Sequence, residues 1–221
     1  MIENILVISD THIPFEKEGY MEFCYEQKRK YKCKKIIHIG DVIDNSASGR
    51  WDANPDNYSA GDELQRAKKT LEKWYKLFPK VSVCIGNHEG RIIKKMFTGG
   101  ISSKWLKSFS EVLGVNNWEF QNKYIYGNIL FIHGDGVSGT SGPMRLALDR
   151  RMSVVCGHQH TLGSLQFNSS GKNQIFSMVV GCGINKESIG FLYARNYIKE
   201  PVLSAAVILE NGTFPILIPF K

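Results

Sequence analysis

Five times along this chain a short apolar run ends by delivering Asp, Asn or His at its C-terminal end. The runs are Ile5-Leu6-Val7-Ile8-Ser9-Asp10-Thr11-His12, Ile36-Ile37-His38-Ile39-Gly40-Asp41-Val42-Ile43-Asp44, Val81-Ser82-Val83-Cys84-Ile85-Gly86-Asn87-His88-Glu89, Ile129-Leu130-Phe131-Ile132-His133-Gly134-Asp135 and Val154-Val155-Cys156-Gly157-His158-Gln159-His160. Apolar runs of this length read as buried strands, and Gly40 permits a tight backbone turn where the second one stops. The polar groups then stand at the lip of a sheet, where α/β proteins place ligand chemistry. All six histidines fall in these five strings, a clustering that an ordinary surface would not produce.

At 221 residues the chain can bury a substantial core, and one domain spanning 1–221 is expected. A hydrophobic content of 43% and a charged content of 22% are ordinary for a globular protein. No apolar run approaches the roughly 20 residues of a membrane span, and no secretory signal is read at the start, so a cytoplasmic protein without membrane contact is expected. Five cysteines, with no Cys-x-x-Cys pair, read as reduced and buried thiols. The net charge of +7 suits a polyanionic substrate, although lysine-rich stretches such as 28–35 also read as solvated helix surface.

The spacing predicts strands at 4–9, 35–39, 81–85, 129–132 and 153–156, with a helix over about 18–33 between the first two and so a parallel crossover. The clearest helix runs from Asp62, as its cap, to Phe78, with Leu64, Ala67, Leu71, Trp74, Tyr75 and Phe78 on one face and Pro79 as the stop. Further helices open near Gly90, over 104–113, and from Ser141-Pro143 to about Arg151. Residues 118–126 read as a strand that forms a hairpin with 129–132 about Gly127-Asn128. Strands at 162–168, 174–180, 203–209 and 213–218 follow as a β-meander, with Asn211-Gly212 as a hairpin turn. An α/β first part and an all-β last part imply two packed sheets. Residues 45–61 are loop in composition and long for a connector beside a site.

Asp10, His12, Asp41, Asn87, His133, His158 and His160 supply seven oxygen and nitrogen donors. They suffice for two divalent ions sharing one carboxylate, an arrangement that clamps both oxygens of an in-line displacement at phosphorus. Thiolates are absent from the set, which argues against a structural zinc site.

The ordered strings Asp10-Thr11-His12, Gly40-Asp41-Val42-Ile43-Asp44, Gly86-Asn87-His88-Glu89, His133-Gly134 and Gly157-His158-Gln159-His160 resemble the calcineurin-like metallophosphoesterase superfamily, and the small size, the 45–61 loop and the Asn87-His88-Glu89-Gly90-Arg91 string are similar to its compact phage and prophage members. The resemblance spans residues 10 to 160. It implies a four-layer α-β-β-α sandwich with two central mixed sheets and a dimetal site at the C-terminal ends of strands. By position, Asp10, His12, Asp41 and His160 would bind one ion, and Asp41, Asn87, His133 and His158 the other, with Asp41 bridging. A hydroxide between the ions would attack phosphorus. His88 would assist the leaving oxygen and Asp44 would support His88. Mn²⁺ suits the donors best, while Fe, Zn, Ni or Co also fit.

Arg91 reads as a phosphate clamp or a surface ion pair. Arg50 and Trp51 could reach substrate, although a Trp51 that packs the loop is preferred. His38 reads as a packed strand residue and Glu89 as a helix-start carboxylate. Asp135 is either a partner of a ligating histidine or a loop residue. Gly181-Cys182-Gly183 is either a close backbone approach to the site or a strand bend. Asn45 stands where the branch acting on phosphoproteins carries arginine, so nucleic-acid or nucleotide phosphodiesters are the preferred substrates. A phosphomonoesterase is the first alternative. A non-catalytic protein-binding scaffold of the same fold, as in the retromer subunit, is the second.

Overall fold

A computed structural model of the chain describes residues 3–49, 56–190 and 199–221. In order, the elements are β1 (Ile5–Ile8), α1 (Tyr20–Lys30), β2 (Lys35–His38), α2 (Ala60–Leu77), β3 (Val81–Cys84), α3 (Asn87–Thr98), α4 (Phe109–Leu113), β4 (Trp118–Gln121), β5 (Lys123–Tyr126), β6 (Ile129–Ile132), α5 (Gly142–Arg150), β7 (Ser153–Cys156), β8 (Ser164–Ser169), β9 (Gln174–Val179), β10 (Ser204–Leu209) and β11 (Phe214–Pro219).

Two mixed sheets result. The first has the order β11-β10-β1-β2-β3-β4 and the second β5-β6-β7-β9-β8. Strand β1 is buried on both faces because each face meets a different layer. Leu6 and Ile8 pack with Tyr20, Cys24, Ala67, Leu71, Trp74 and Phe78 of the helical layer. Ile5 and Val7 pack with Phe131, Val155, Phe176 and Met178 of the second sheet. On the outer face of that sheet Leu130, Val154 and Ile175 meet Ala147 of α5. The architecture is therefore the four-layer α-β-β-α sandwich expected. Each fully buried side chain of this size contributes about 1.5–3 kcal/mol of transfer free energy, so the three cores offset most of the ordering cost.

Several expectations change. Residues 118–126 form two strands in different sheets. β4 pairs in parallel with β3, β5 pairs antiparallel with β6, and Asn122 alone separates them. The break lets Trp118 enter the helix-side core, its indole N–H donating to the Phe78 carbonyl at 2.8 Å, while Tyr124 enters the core between the sheets. The late strands are two hairpins rather than one meander: β8-β9 extends the second sheet and β10-β11 the first. The Asn211-Gly212 turn stands. Helix α2 starts earlier than read. Ser59 caps it by accepting the Asp62 N–H at 3.2 Å, and Asp62 lies inside the first turn. Residues 104–113 give a short 3₁₀ turn and α4 rather than one helix.

All five cysteines are buried and unpaired. No described helix is long and apolar enough to cross a membrane.

Candidate metal centre

The ends of β1 and β2 continue side by side past the last ladder residue. Asp10 N–H donates to Gly40 O at 3.1 Å and His12 N–H to Asp41 O at 3.0 Å, which sets three acidic and imidazole side chains against one another. In the second sheet the Gly157 N–H donates to His133 O at 2.8 Å and does the same for His133 and His158. The backbone is held in the left-handed region at Asp10, His12, Asp41 and His158, with φ between 46° and 65°. That conformation is costly for residues with a Cβ and concentrates where function over-determines the backbone. Gly40 does turn tightly, at φ 101°, and a Cβ there would lie 2.6 Å from His133 Nδ1.

All seven donors converge. Asp10, His12, Asp41 and His160 present ligand atoms within 4.8 Å of one another, and so do Asp41, His133 and His158. Asn87 Oδ1 joins the latter group at 2.8 Å from His133 Nε2. Asp41 belongs to both groups. Its Oδ2 lies 3.7 Å from His12 Nε2 and 3.2 Å from His133 Nε2. Three donors come from the first sheet's β1 and β2 ends, one from α3, and three from the second sheet.

The donor set fits cations on an observation independent of any relative. His12 Nδ1 is taken up by Asp44 Oδ1 at 2.7 Å, and His133 Nδ1 by the Ile39 carbonyl at 3.0 Å. Each ring then turns Nε2, as a lone pair, toward other acceptors: His133 faces Asn87 Oδ1 and Asp41 Oδ2, and His12 faces His160 Nε2 at 3.1 Å. Acceptors packed this way repel unless positive charge lies among them. The electrostatics of the site agree. Burial alone would lower His12 and His133, yet Asp10, Asp44 and Asp41 push His12, and Asp41, Asp10 and Glu89 push His133, up to about 10. Asp10 and Asp41 are held well below the usual carboxylate range, their hydrogen bonds and opposite charges overcoming burial. Without metal, protons fill the place that divalent ions would take.

The calcineurin-like phosphoesterase profile matches residues 3–147, about two thirds of the chain. The chain belongs to the calcineurin-like phosphoesterase family. The Gene 54 protein of Mycobacterium phage D29 is 25% identical over 99% of this chain and 94% of its own length. A dimetal phosphatase from Danio rerio has the same fold, with a TM-score of 0.51 at 12% identity over 100% of this chain and 99% of its own. So does Vacuolar Protein Sorting 29 from Cryptosporidium parvum, with a TM-score of 0.50 at 13% identity over 99% and 98%. His158 and His160 lie beyond the matched segment, so the donor set of this chain is completed outside it.

The remaining side chains surround the donors. His88 lies in the first turn of α3, which opens at Asn87, three residues before the expected start. Its Nδ1 donates to the Asp44 carbonyl and lies 3.1 Å from Asp44 Oδ1, while its Nε2 is 3.8 Å from Asp41 Oδ2. Asp44 thus serves His12 as well as His88, and the two imidazoles hold its carboxyl well below the usual range against burial. Arg91 donates to His88 Nε2 at 2.7 Å and to the Asp44 and Asn45 carbonyls, so it braces this corner rather than standing free on the surface. Asn45 Nδ2 donates to the His88 carbonyl at 3.0 Å. Asp135 is exposed, and Ile39 rather than Asp135 takes the His133 proton. Gly183 N–H donates to Asp10 O at 3.0 Å, so the Gly181–Gly183 stretch does approach the site. His38 is buried behind the site against Thr11. Arg50 and Trp51 lie outside the described residues.

Sequence reasoning underrated two carboxylates. Glu89 accepts the backbone N–H groups of Gly86, Asp41, Val42 and Ile43 at 2.8–3.2 Å, and so holds the turn that carries Asp41. Glu63 of α2 accepts the Ser46 N–H at 3.1 Å and its hydroxyl. A Glu three residues after Gly86 signals a helix start; no spacing announces a carboxylate that braces a loop.

Proposed function

We propose that this chain is one domain that hydrolyses phosphate esters with two divalent ions, and that it prefers phosphodiesters of nucleic acid or nucleotides. The observation that carries the reading is Asp41, whose single carboxylate lies within reach of both donor groups. Asp10, His12, Asp41 and His160 would hold one ion, and Asp41, Asn87, His133 and His158 the other. Mn²⁺ is the occupant of choice for these donors, with Fe, Zn, Ni and Co as competitors. The ions, when bound, supply Lewis acidity and a hydroxide nucleophile near neutral pH.

The chain's own residues do the rest. Asp44 and its carbonyl fix the His88 ring so that Nε2 faces the donors. Burial and the charge on His12 depress His88, and a phosphate anion beside Nε2 opposes both effects and raises the fraction able to donate to a leaving oxygen. Arg91, already at Nε2, adds a second donor on the same side. The buried thiols suit a reducing compartment such as the cytoplasm.

The protein-sorting relative keeps a scaffold reading in view, and a phosphomonoesterase would use the same groups. The complete donor set and His88 favour catalysis over a scaffold. The test is hydrolysis of a bis-aryl phosphate diester beside the matching aryl monoester, with metal-stripped protein, with Mn²⁺ restored, and with His88→Ala. Turnover of the diester that needs metal and falls at least about a hundredfold in the variant supports the reading. Turnover of the monoester alone selects the phosphatase. Neither reaction, with two ions bound, selects the scaffold.

A further inference from the structure

A cleft of about 390 Å³ lies along α3 beside the metal centre. It shares Asn87 with the donors, continues past Arg91 to Lys94 and Lys95, and is also lined by Ser48 and Gly49. Asn87, Arg91 and Lys94 follow at i, i+4 and i+7, and Lys95 lies four residues after Arg91, so helical spacing places all four along one side of α3. Lys94 is seven residues beyond Asn87, or about 10 Å along the axis at about 1.5 Å per residue. Both lysines are exposed, and neither forms an ion pair among the described residues. Among the described residues Asp135 is the single carboxylate on the wall, against three cations.

We infer that this cleft is a subsite for the phosphate next to the one being hydrolysed, and that the substrate is therefore a single-stranded nucleic acid rather than an isolated phosphate ester. The inference rests on the phosphodiesterase reading above. Arg91 is held by His88 and two carbonyls, so it braces the scissile position, whereas Lys94 and Lys95 have nothing else to neutralise. A phosphate bound at the metals leaves its neighbour along an extended strand lying over these two ammonium groups. A cationic groove that tracks the backbone is how proteins hold single strands without reading sequence. The exposed Asp135 opposes this binding and limits its strength, which makes the sign of its removal informative.

The experiment compares the Lys94→Gln/Lys95→Gln double variant and Asp135→Asn with the unsubstituted chain, metal-loaded. Hydrolysis of an end-labelled oligothymidylate is measured beside the bis-aryl diester, and binding of the same oligonucleotide is followed by fluorescence anisotropy in Ca²⁺. The ratio of oligonucleotide to small-diester kcat/KM is expected to fall about tenfold in the double variant. The salt slope of oligonucleotide binding should become shallower by about 1.4, two charges at about 0.7 each. Asp135→Asn should tighten binding severalfold. Equal loss on both substrates, or no loss on either, overturns the inference. So does hydrolysis of the small diester by a chain that neither binds nor cleaves the oligonucleotide, and that result leaves the phosphodiesterase reading intact. A chain that turns over neither substrate fails that reading, and the anisotropy and its salt slope still decide the subsite.

Discussion

Glu89 is wholly buried, and its two oxygens accept four backbone N–H groups. Burial and then the charge of Asp41 push its carboxyl up to about 7, while those N–H groups pull the other way. Glu89→Gln would turn one acceptor into a donor aimed at backbone donors. Its expected cost is about 2–4 kcal/mol in urea unfolding. By loosening the Asp41 turn it should also weaken Mn²⁺ binding by about 10–100-fold, read by metal titration. His38, directly behind the donors, offers a pH-dependent counterpart. Its Nε2 donates to the Thr11 hydroxyl at 3.0 Å, that hydroxyl donates to Val42 O, and Nδ1 has no partner among the described residues. Burial lowers the imidazole to about 3, against a smaller opposing pull from Asp10 and Asp41. The folded value is below the unfolded one, so the stability is present above about pH 6.5 and is lost as pH falls toward 3, at up to about 1.4 kcal/mol per pH unit. His38→Leu should remove one proton's worth of that slope, measured as the difference between denaturation curves at pH 7.5 and pH 5. An unchanged slope would mean that the proton is taken up elsewhere.

Among the elements, α2 and α3 begin by different means. At α2 the Ser59 hydroxyl accepts the Asp62 N–H and donates to the Asp62 carboxylate. Ser59→Ala should cost about 1 kcal/mol in chemical denaturation. At α3 the cap is partly tertiary: Asp41 Oδ1 accepts the His88 N–H at 2.8 Å, while Glu89 accepts the Gly86 N–H locally. The Gly86–Glu89 spacing marks this start locally, whereas the contribution of Asp41, borrowed from 47 residues away, leaves no local mark. The ligand-bearing strings are legible because each is a strand end followed by its own polar residues, a pattern complete within ten residues. The division of 118–126 is not. Alternation reports which face a side chain takes but not which sheet a strand joins, and Asn122 carries neither the glycine nor the proline that marks a break. Likewise, the fates of β8-β9 and β10-β11 rest on long-range pairing alone.

For the whole molecule, the donors come from both sheets, so an ion bound at either group ties one sheet to the other. Mn²⁺ at about a hundredfold over its Kd should raise unfolding stability by about 2.7 kcal/mol per site, seen as a rise in melting temperature. Asp41→Asn should abolish more of that rise than His158→Ala, because Asp41 alone reaches both groups.

Strand β1 lies inside the first sheet because Ile5 faces Ile208 and Val7 faces Ala206, while β2 covers its other side. Until β10 arrives, one edge of β1 is a bare row of amide groups on an apolar segment, the template on which chains recruit one another. A polypeptide emerging from the ribosome would expose that edge through most of its synthesis. Clipping after β9 should therefore give insoluble aggregates rather than a smaller folded remnant, and a chaperone that shields nascent strands would find its natural client in this early intermediate.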